Sequence, residues 1–136
     1  MSTPTVGFPR PVPDEETAPF WQGCREQRLL LQHCSDCRTW RFPPRPVCAQ
    51  CRSTAYEWSE ASGRGVVASF TICHPPVLPA FADRVPYNVV VVQLEEGPHL
   101  VSNLVSGEPS VGMAVEVTYV DVDDDLTLPQ FAPADG

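Results

Sequence analysis

The sequence predicts a mainly β chain with short N-terminal helices, a four-cysteine metal module and then a small Greek-key barrel of OB type. Three observations carry this. Cys34-Ser35-Asp36-Cys37 and Cys48-Ala49-Gln50-Cys51 form two Cys-x-x-Cys knuckles ten residues apart. From Tyr56 onward, short period-two runs rich in Val alternate with Gly, Pro and Asp turns. The 136 residues suffice for one buried core but not two.

In chain order, Met1 to Pro13 is too proline-rich for a helix or a central strand, and is expected as an extended arm. Residues 14–32 form the helical segment. Asp14-Glu15-Glu16-Thr17-Ala18-Pro19 has the acids and early proline of a helix start, and Phe20, Trp21 and Cys24 give a short helix one apolar face, ending near Arg25. Leu29-Leu30-Leu31 then reads as a strand entering the first knuckle.

Residues 33–55 make the metal module. Two such knuckles bring four thiolates to the corners of a tetrahedron about 2.3 Å from one ion, the closed shell of a structural zinc site. The same ligand set suits iron, as a rubredoxin-type centre or a [4Fe-4S] cluster. Thioredoxin-like redox chemistry expects a single motif opening a helix, and a secreted disulfide framework expects an export signal that Met1 to Pro13 lacks. His33, beside Cys34, finds no vacancy among four thiols. Arg38 and Arg52 follow the second cysteine of each knuckle. A turn of positive φ at these places favours Gly, and Arg there adds strain.

Residues 56–136 are assigned to the barrel with a C-terminal tail. Tyr56-Glu57-Trp58, Val66 to Ile72, Tyr87 to Glu95, His99 to Val105 and Val115 to Val122 are the five strands, with a three-proline loop at His74 to Pro79. Leu126 to Phe131 trails the acidic turn Asp123-Asp124-Asp125. Five strands with one longer loop fit an OB barrel, and an SH3-like barrel or small sandwich fits the same pattern.

Charge is unevenly spread. Residues 1–64 hold eight Arg and seven acids, whereas residues 65–136 hold Arg84 against ten acids, so the halves carry +1 and −9. An anionic ligand is therefore expected at the cysteine-bearing half. Single-stranded nucleic acid, the usual cargo of ribbons and OB folds, is disfavoured by so acidic a barrel. All nine basic residues are Arg, which excludes Schiff-base chemistry and a P-loop lysine. No apolar run reaches membrane length, and a cytoplasmic protein is expected.

The spare thiols Cys24 and Cys73 read as small buried hydrophobes, and Cys73 and His74 are strand neighbours that face opposite ways. Asp121-x-Asp123-x-Asp125 lacks the Gly and closing Glu of a calcium loop.

The ordered set Phe20-Trp21, Cys34-x-x-Cys37, Phe42-Pro43-Pro44-Arg45, Cys48-x-x-Cys51, Trp58, Ser62-Gly63-Arg64-Gly65-Val66-Val67, Phe70-Thr71, Pro86-Tyr87, Leu94 to Pro98, Gly112-Met113-x-Val115 and Pro129-x-Phe131 resembles the family known as domain of unknown function 35. This acyl-CoA-associated family combines a zinc ribbon with an OB fold. The match runs from about residue 15 to residue 133. The resemblance implies a pair of N-terminal helices, a rubredoxin-like zinc ribbon held by Cys34, Cys37, Cys48 and Cys51, and a C-terminal OB barrel.

It further implies a non-catalytic partner of a thiolase-fold enzyme, whether thiolase, acyltransferase or lipid-transfer-protein-type aldolase of lipid or steroid degradation. Such a partner completes the enzyme's acyl-CoA site within a hetero-oligomer such as a heterotetramer. Coenzyme A carries phosphates that suit Arg forks and an adenine that stacks on rings, so Trp40, Arg41, Phe42, Arg45, Trp58 and Arg64 are its candidate contacts. Phe20 and Trp21 are candidates for the partner interface.

Overall fold

The computed structural model describes residues 10–134. Most of the proline-rich arm, residues 1–9, lies outside them; Arg10 to Pro13 is irregular chain. One α-helix, α1 (Ala18–Arg25), precedes eight strands: β1 (Leu30–Cys34), β2 (Trp40–Arg41), β3 (Tyr56–Glu60), β4 (Arg64–Cys73), β5 (Tyr87–Leu94), β6 (His99–Ser102), β7 (Ala114–Asp123) and β8 (Leu126–Pro133).

Among the described residues the N-terminal segment thus holds one helix where a pair was implied. Pro11 and Pro13 keep the preceding chain from joining it. The acids do start it, but from outside. The Asp14 carboxylate accepts the amides of Thr17 at 2.8 Å and Glu16 at 2.9 Å, and the Thr17 amide above all holds its pKa below the usual carboxylate range. At the other end Gln27 takes φ 61°, with its amide on the Cys24 carbonyl and that of Arg28 on the Gly23 carbonyl. This is the paired-bond C-terminal turn that usually carries Gly.

The strands form two antiparallel sheets, β2-β1-β3 and β6-β5-β4-β7-β8. The sequence reading placed Tyr56 to Trp58 in the barrel and left Leu126 to Phe131 as a tail. Instead β3 pairs with β1 from Leu30↔Glu60 to Cys34↔Tyr56 and completes the ribbon sheet. The fifth barrel strand is β8, paired along β7 from Val115↔Pro133 to Asp123↔Leu126.

Phe131 closes the barrel. It forms a parallel bridge with Leu104, its amide donating to the Asn103 carbonyl at 3.0 Å and its carbonyl accepting from the Val105 amide at 2.8 Å. The strand order with a parallel closure between third and fifth strands is that of an OB barrel. Pro129 cannot donate to a ladder, and there the Ser102 hydroxyl donates to its carbonyl at 2.7 Å. Asn88 serves as a strand surrogate, bonding both the amide (2.7 Å) and the carbonyl (2.9 Å) of Leu104.

Two glycines in the Ser62 to Gly65 turn are dictated by space. Gly63 holds φ +79° with a Val117 methyl 2.5 Å from where a Cβ would sit, and at Gly65 that Cβ would lie 2.4 Å from the Gln93 carbonyl oxygen. Beyond them β4 pairs with β7 only over Arg64 to Val66, with Val67 completing the contact through Gly112 and Met113. A bulge follows between Val67 and Ser69, after which β4 continues paired to β5 alone.

The core is shared. Phe20, Cys24, Leu29 and Leu31 pack in one buried cluster with Val67, Val90, Val92, Val115 and Phe131. Helix, ribbon and barrel are therefore one packed body.

Candidate metal centre

The knuckles are built alike. In the first, the Cys34 amide donates to the Thr39 carbonyl and the Arg38 amide returns to the Cys34 carbonyl; in the second, Cys48 bonds Ser53 and Arg52 bonds Cys48 in the same way. Arg38 at φ 71° and Arg52 at φ 65° occupy the left-handed region, so the chain adopts the turn anticipated at both positions despite lacking Gly. The His33 Nε2–H donates to the Arg38 carbonyl at 2.9 Å, and the imidazole stacks on Trp40 with centroids 4.3 Å apart. His33 therefore braces the strained turn and is not a ligand.

All four Sγ atoms lie within 4.8 Å of one another, with Cys34–Cys51 and Cys37–Cys48 each at 3.6 Å. Four sulfurs bound at about 2.3 Å to one ion sit about 3.8 Å apart, so the cluster has the dimensions of a tetrathiolate zinc site. Two of its donors are polarised toward the ionised form. The Cys37 amide, first among several, lowers the Cys34 thiol to about 6, and the Cys51 and Gln50 amides lower that of Cys48. At Cys51 the Ser53 amide acts downward, but desolvation and the other three thiols push it up to about 12. Such crowding of thiols is relieved when a cation takes their protons' place. With four protein ligands the shell is closed, and the ion's contribution is structural.

The spare thiols stand apart. Burial raises the Cys24 thiol to about 12, and Cys73 lies opposite Tyr87 on β5.

The structure does not gather the six proposed coenzyme A contacts into one patch. Trp40 and Arg41 alternate on β2, so their side chains leave opposite faces of the sheet. Arg41 is only 8% exposed. Its Nε donates to the Gln32 Oε1 at 2.8 Å, its Nη2 to the Arg45 carbonyl at 2.8 Å, and its guanidinium lies 4.7 Å over the Tyr56 ring. Trp58 faces Gln32 across β1–β3. Arg45 contributes its backbone here, while Arg64, out on the barrel, pairs with Glu95 at 3.1 Å and 3.3 Å. Phe42 packs on Phe20 at 5.1 Å. Phe20 itself is 4% exposed, so of the Phe20–Trp21 pair only Trp21 keeps surface for a contact.

Gln32 is the residue that sequence reasoning missed. It is fully buried, and its Oε1 accepts from both the Arg41 side chain and the Arg45 amide at 2.7 Å. A lone amide ending the Leu29-Leu30-Leu31 run was the available signal. Gln32→Leu is expected to strand both donors and cost about 1–3 kcal/mol. A lower urea midpoint at unchanged zinc content checks this.

Comparison with known proteins follows this geometry closely. A family model described as the rubredoxin-like zinc ribbon domain of ChsH2 matches residues 21–57, and one for the C-terminal OB-fold domain of ChsH2 matches residues 58–120. A DUF35 domain-containing scaffold protein of Methanocaldococcus jannaschii is 30% identical over 118 residues, 82% of each chain. The chain belongs to the DUF35 family.

Among solved structures, a DUF35 chain titled "Ltp2-ChsH2(DUF35) aldolase" superposes with a TM-score of 0.82 at 39% identity, covering 91% of this chain and 98% of that one. A probable enoyl-CoA hydratase alpha subunit of Thermomonospora curvata is 40% identical over 129 residues, 93% of this chain. The chain spans about two fifths of the length of that curated relative. No helix among the described residues is long and apolar enough to cross a membrane.

Proposed function

We propose that this DUF35 protein is a non-catalytic accessory subunit of a thiolase-fold or lipid-transfer-protein-type enzyme that acts on acyl-CoA, required for that enzyme's activity and assembled with it as a hetero-oligomer such as a heterotetramer. The observation that carries the reading is the likeness, over almost the full length of both chains, to the DUF35 chain of an aldolase complex. The closed thiolate shell supports it, since four protein ligands leave no coordination position for a substrate. Of the anticipated coenzyme A contacts, Arg45 and Arg64 are exposed and Trp40, Phe42 and Trp58 half-buried, while Arg41 is buried and occupied internally. Any phosphate contact from the ribbon is therefore assigned to Arg45 rather than Arg41.

The test is reconstitution. The purified chain, the thiolase-like enzyme co-expressed with it, and the two together are assayed for complex formation by light scattering and for thiolase and retro-aldol turnover. The expected result is turnover only, or overwhelmingly, in the mixture. Turnover by this chain alone, or an enzyme indifferent to its presence, overturns the proposal.

A further inference from the structure

Arg41 is a buried cation with no carboxylate beside it. At 8% exposure it is shielded from water, yet among the described residues no acid forms an ion pair with it. Its partners are neutral: the Gln32 side-chain oxygen, the Arg45 carbonyl and the Tyr56 ring. Its Nη1, also buried, has no acceptor among the described residues. A charge in a protein interior is costly, and one that persists there answers to a charge of opposite sign.

Strand register shows what the guanidinium faces. Gln32 and Cys34 share one face of β1; Arg41 of β2 lies across from Gln32 on one side, and Trp58 and Tyr56 of β3 lie across from Gln32 and Cys34 on the other. β2 and β3 flank β1 and so stand about 10 Å apart, yet the Arg41 guanidinium is 4.7 Å over the Tyr56 ring. To reach that ring the side chain crosses β1 on the face that carries Cys34. Glu60 shares this face, but at its far end and against Arg28 at 3.2 Å.

With Cys34, Cys37, Cys48 and Cys51 as thiolates around one divalent ion, the loaded centre carries −2. Loading releases thiol protons, so the site is more negative filled than empty. Knuckle amides meet part of this charge, that of Cys37 on the Cys34 sulfur and that of Gln50 on the Cys48 sulfur, each at 3.4 Å. Arg38, Arg45 and Arg52 are exposed, as is the opposing Asp36, and water and salt screen them. We propose that Arg41 is the counter-charge of the thiolate centre, retaining the ion by charge across β1 without ligating it. Burial makes it the least screened of the ribbon's arginines.

The experiment measures zinc affinity and the rate of zinc release from the full chain at neutral pH, by competition with a chromophoric chelator. Gln32→Glu is the decisive variant. Its carboxylate keeps the acceptor for the Arg41 side chain and the Arg45 amide but neutralises the guanidinium, so zinc is expected to bind at least tenfold more weakly and leave faster. A purely structural Arg41 predicts the opposite, because charge-assisted hydrogen bonds strengthen the ribbon. Unchanged or tighter zinc binding in Gln32→Glu therefore overturns the proposal. Arg41→Gln is expected to lose at least tenfold in affinity, and Arg41→Lys, which keeps the charge without the fork, to stay within about threefold of the unaltered chain. Equal losses in Arg41→Gln and Arg41→Lys also overturn it. This second contrast decides the matter where Gln32→Glu does not fold, and the first does so where the Arg41 variants do not.

Discussion

Cys48→Ser is expected to release the metal and unfold the ribbon. Cys48 is 2% exposed and 3.6 Å from Cys37, and its amide and carbonyl both hold the second knuckle. Serine keeps the size but supplies no thiolate, leaving three ligands for an ion that requires four here. Structural zinc contributes on the order of 10 kcal/mol to modules of this size, comparable to the whole stability of a small domain. The ribbon shares its apolar cluster with the barrel, so the loss is expected to spread beyond residues 33–60. Metal content by atomic emission and far-UV circular dichroism check it. A metal-free chain with an unchanged thermal transition would show the ion to be dispensable.

Phe131→Ala is expected to be the most damaging change that leaves the metal bound. The ring is fully buried, and its backbone makes both bonds that tie the third barrel strand to the fifth. Truncating a buried Phe costs about 3–5 kcal/mol, through lost burial and the cavity left behind. For a chain of this length that lowers the melting temperature by more than about 10 °C. Zinc stoichiometry should hold at one per folded chain. The contrast with Cys48→Ser separates the barrel's stability from the ribbon's, and equal metal loss in both variants would contradict it.

The metal site was legible because its chemistry is local: two knuckles of fixed spacing determine ligand number and geometry without knowledge of the remaining chain. The positive φ of Arg38 and Arg52 was legible for the same reason. Strand partnership was not. Tyr56-Glu57-Trp58 has the same period-two pattern whether it pairs with Leu30–Cys34 or with a barrel strand, and pairing is decided by contacts far apart in sequence. Leu126 to Phe131 was left outside the strands, yet it runs along β7 as β8, with Pro129 and Pro133 at places where the ladder can spare an amide and Ser102 donating its hydroxyl to the Pro129 carbonyl. The arginines misled for another reason. Sequence gives the charge of Arg41 but not that Gln32 and the Arg45 carbonyl consume its donors.

Residues from the helix, the metal lobe and the barrel interlock in a single apolar interior. The two lobes consequently cannot swing on a hinge between Glu60 and Arg64. On the proposed accessory role, an enzyme that binds this protein would meet a template of fixed curvature, so association would forfeit little orientational freedom on this side and any shape change would come from the enzyme. A rigid gauge of this kind suits a subunit whose task is to hold another protein's cavity in one form.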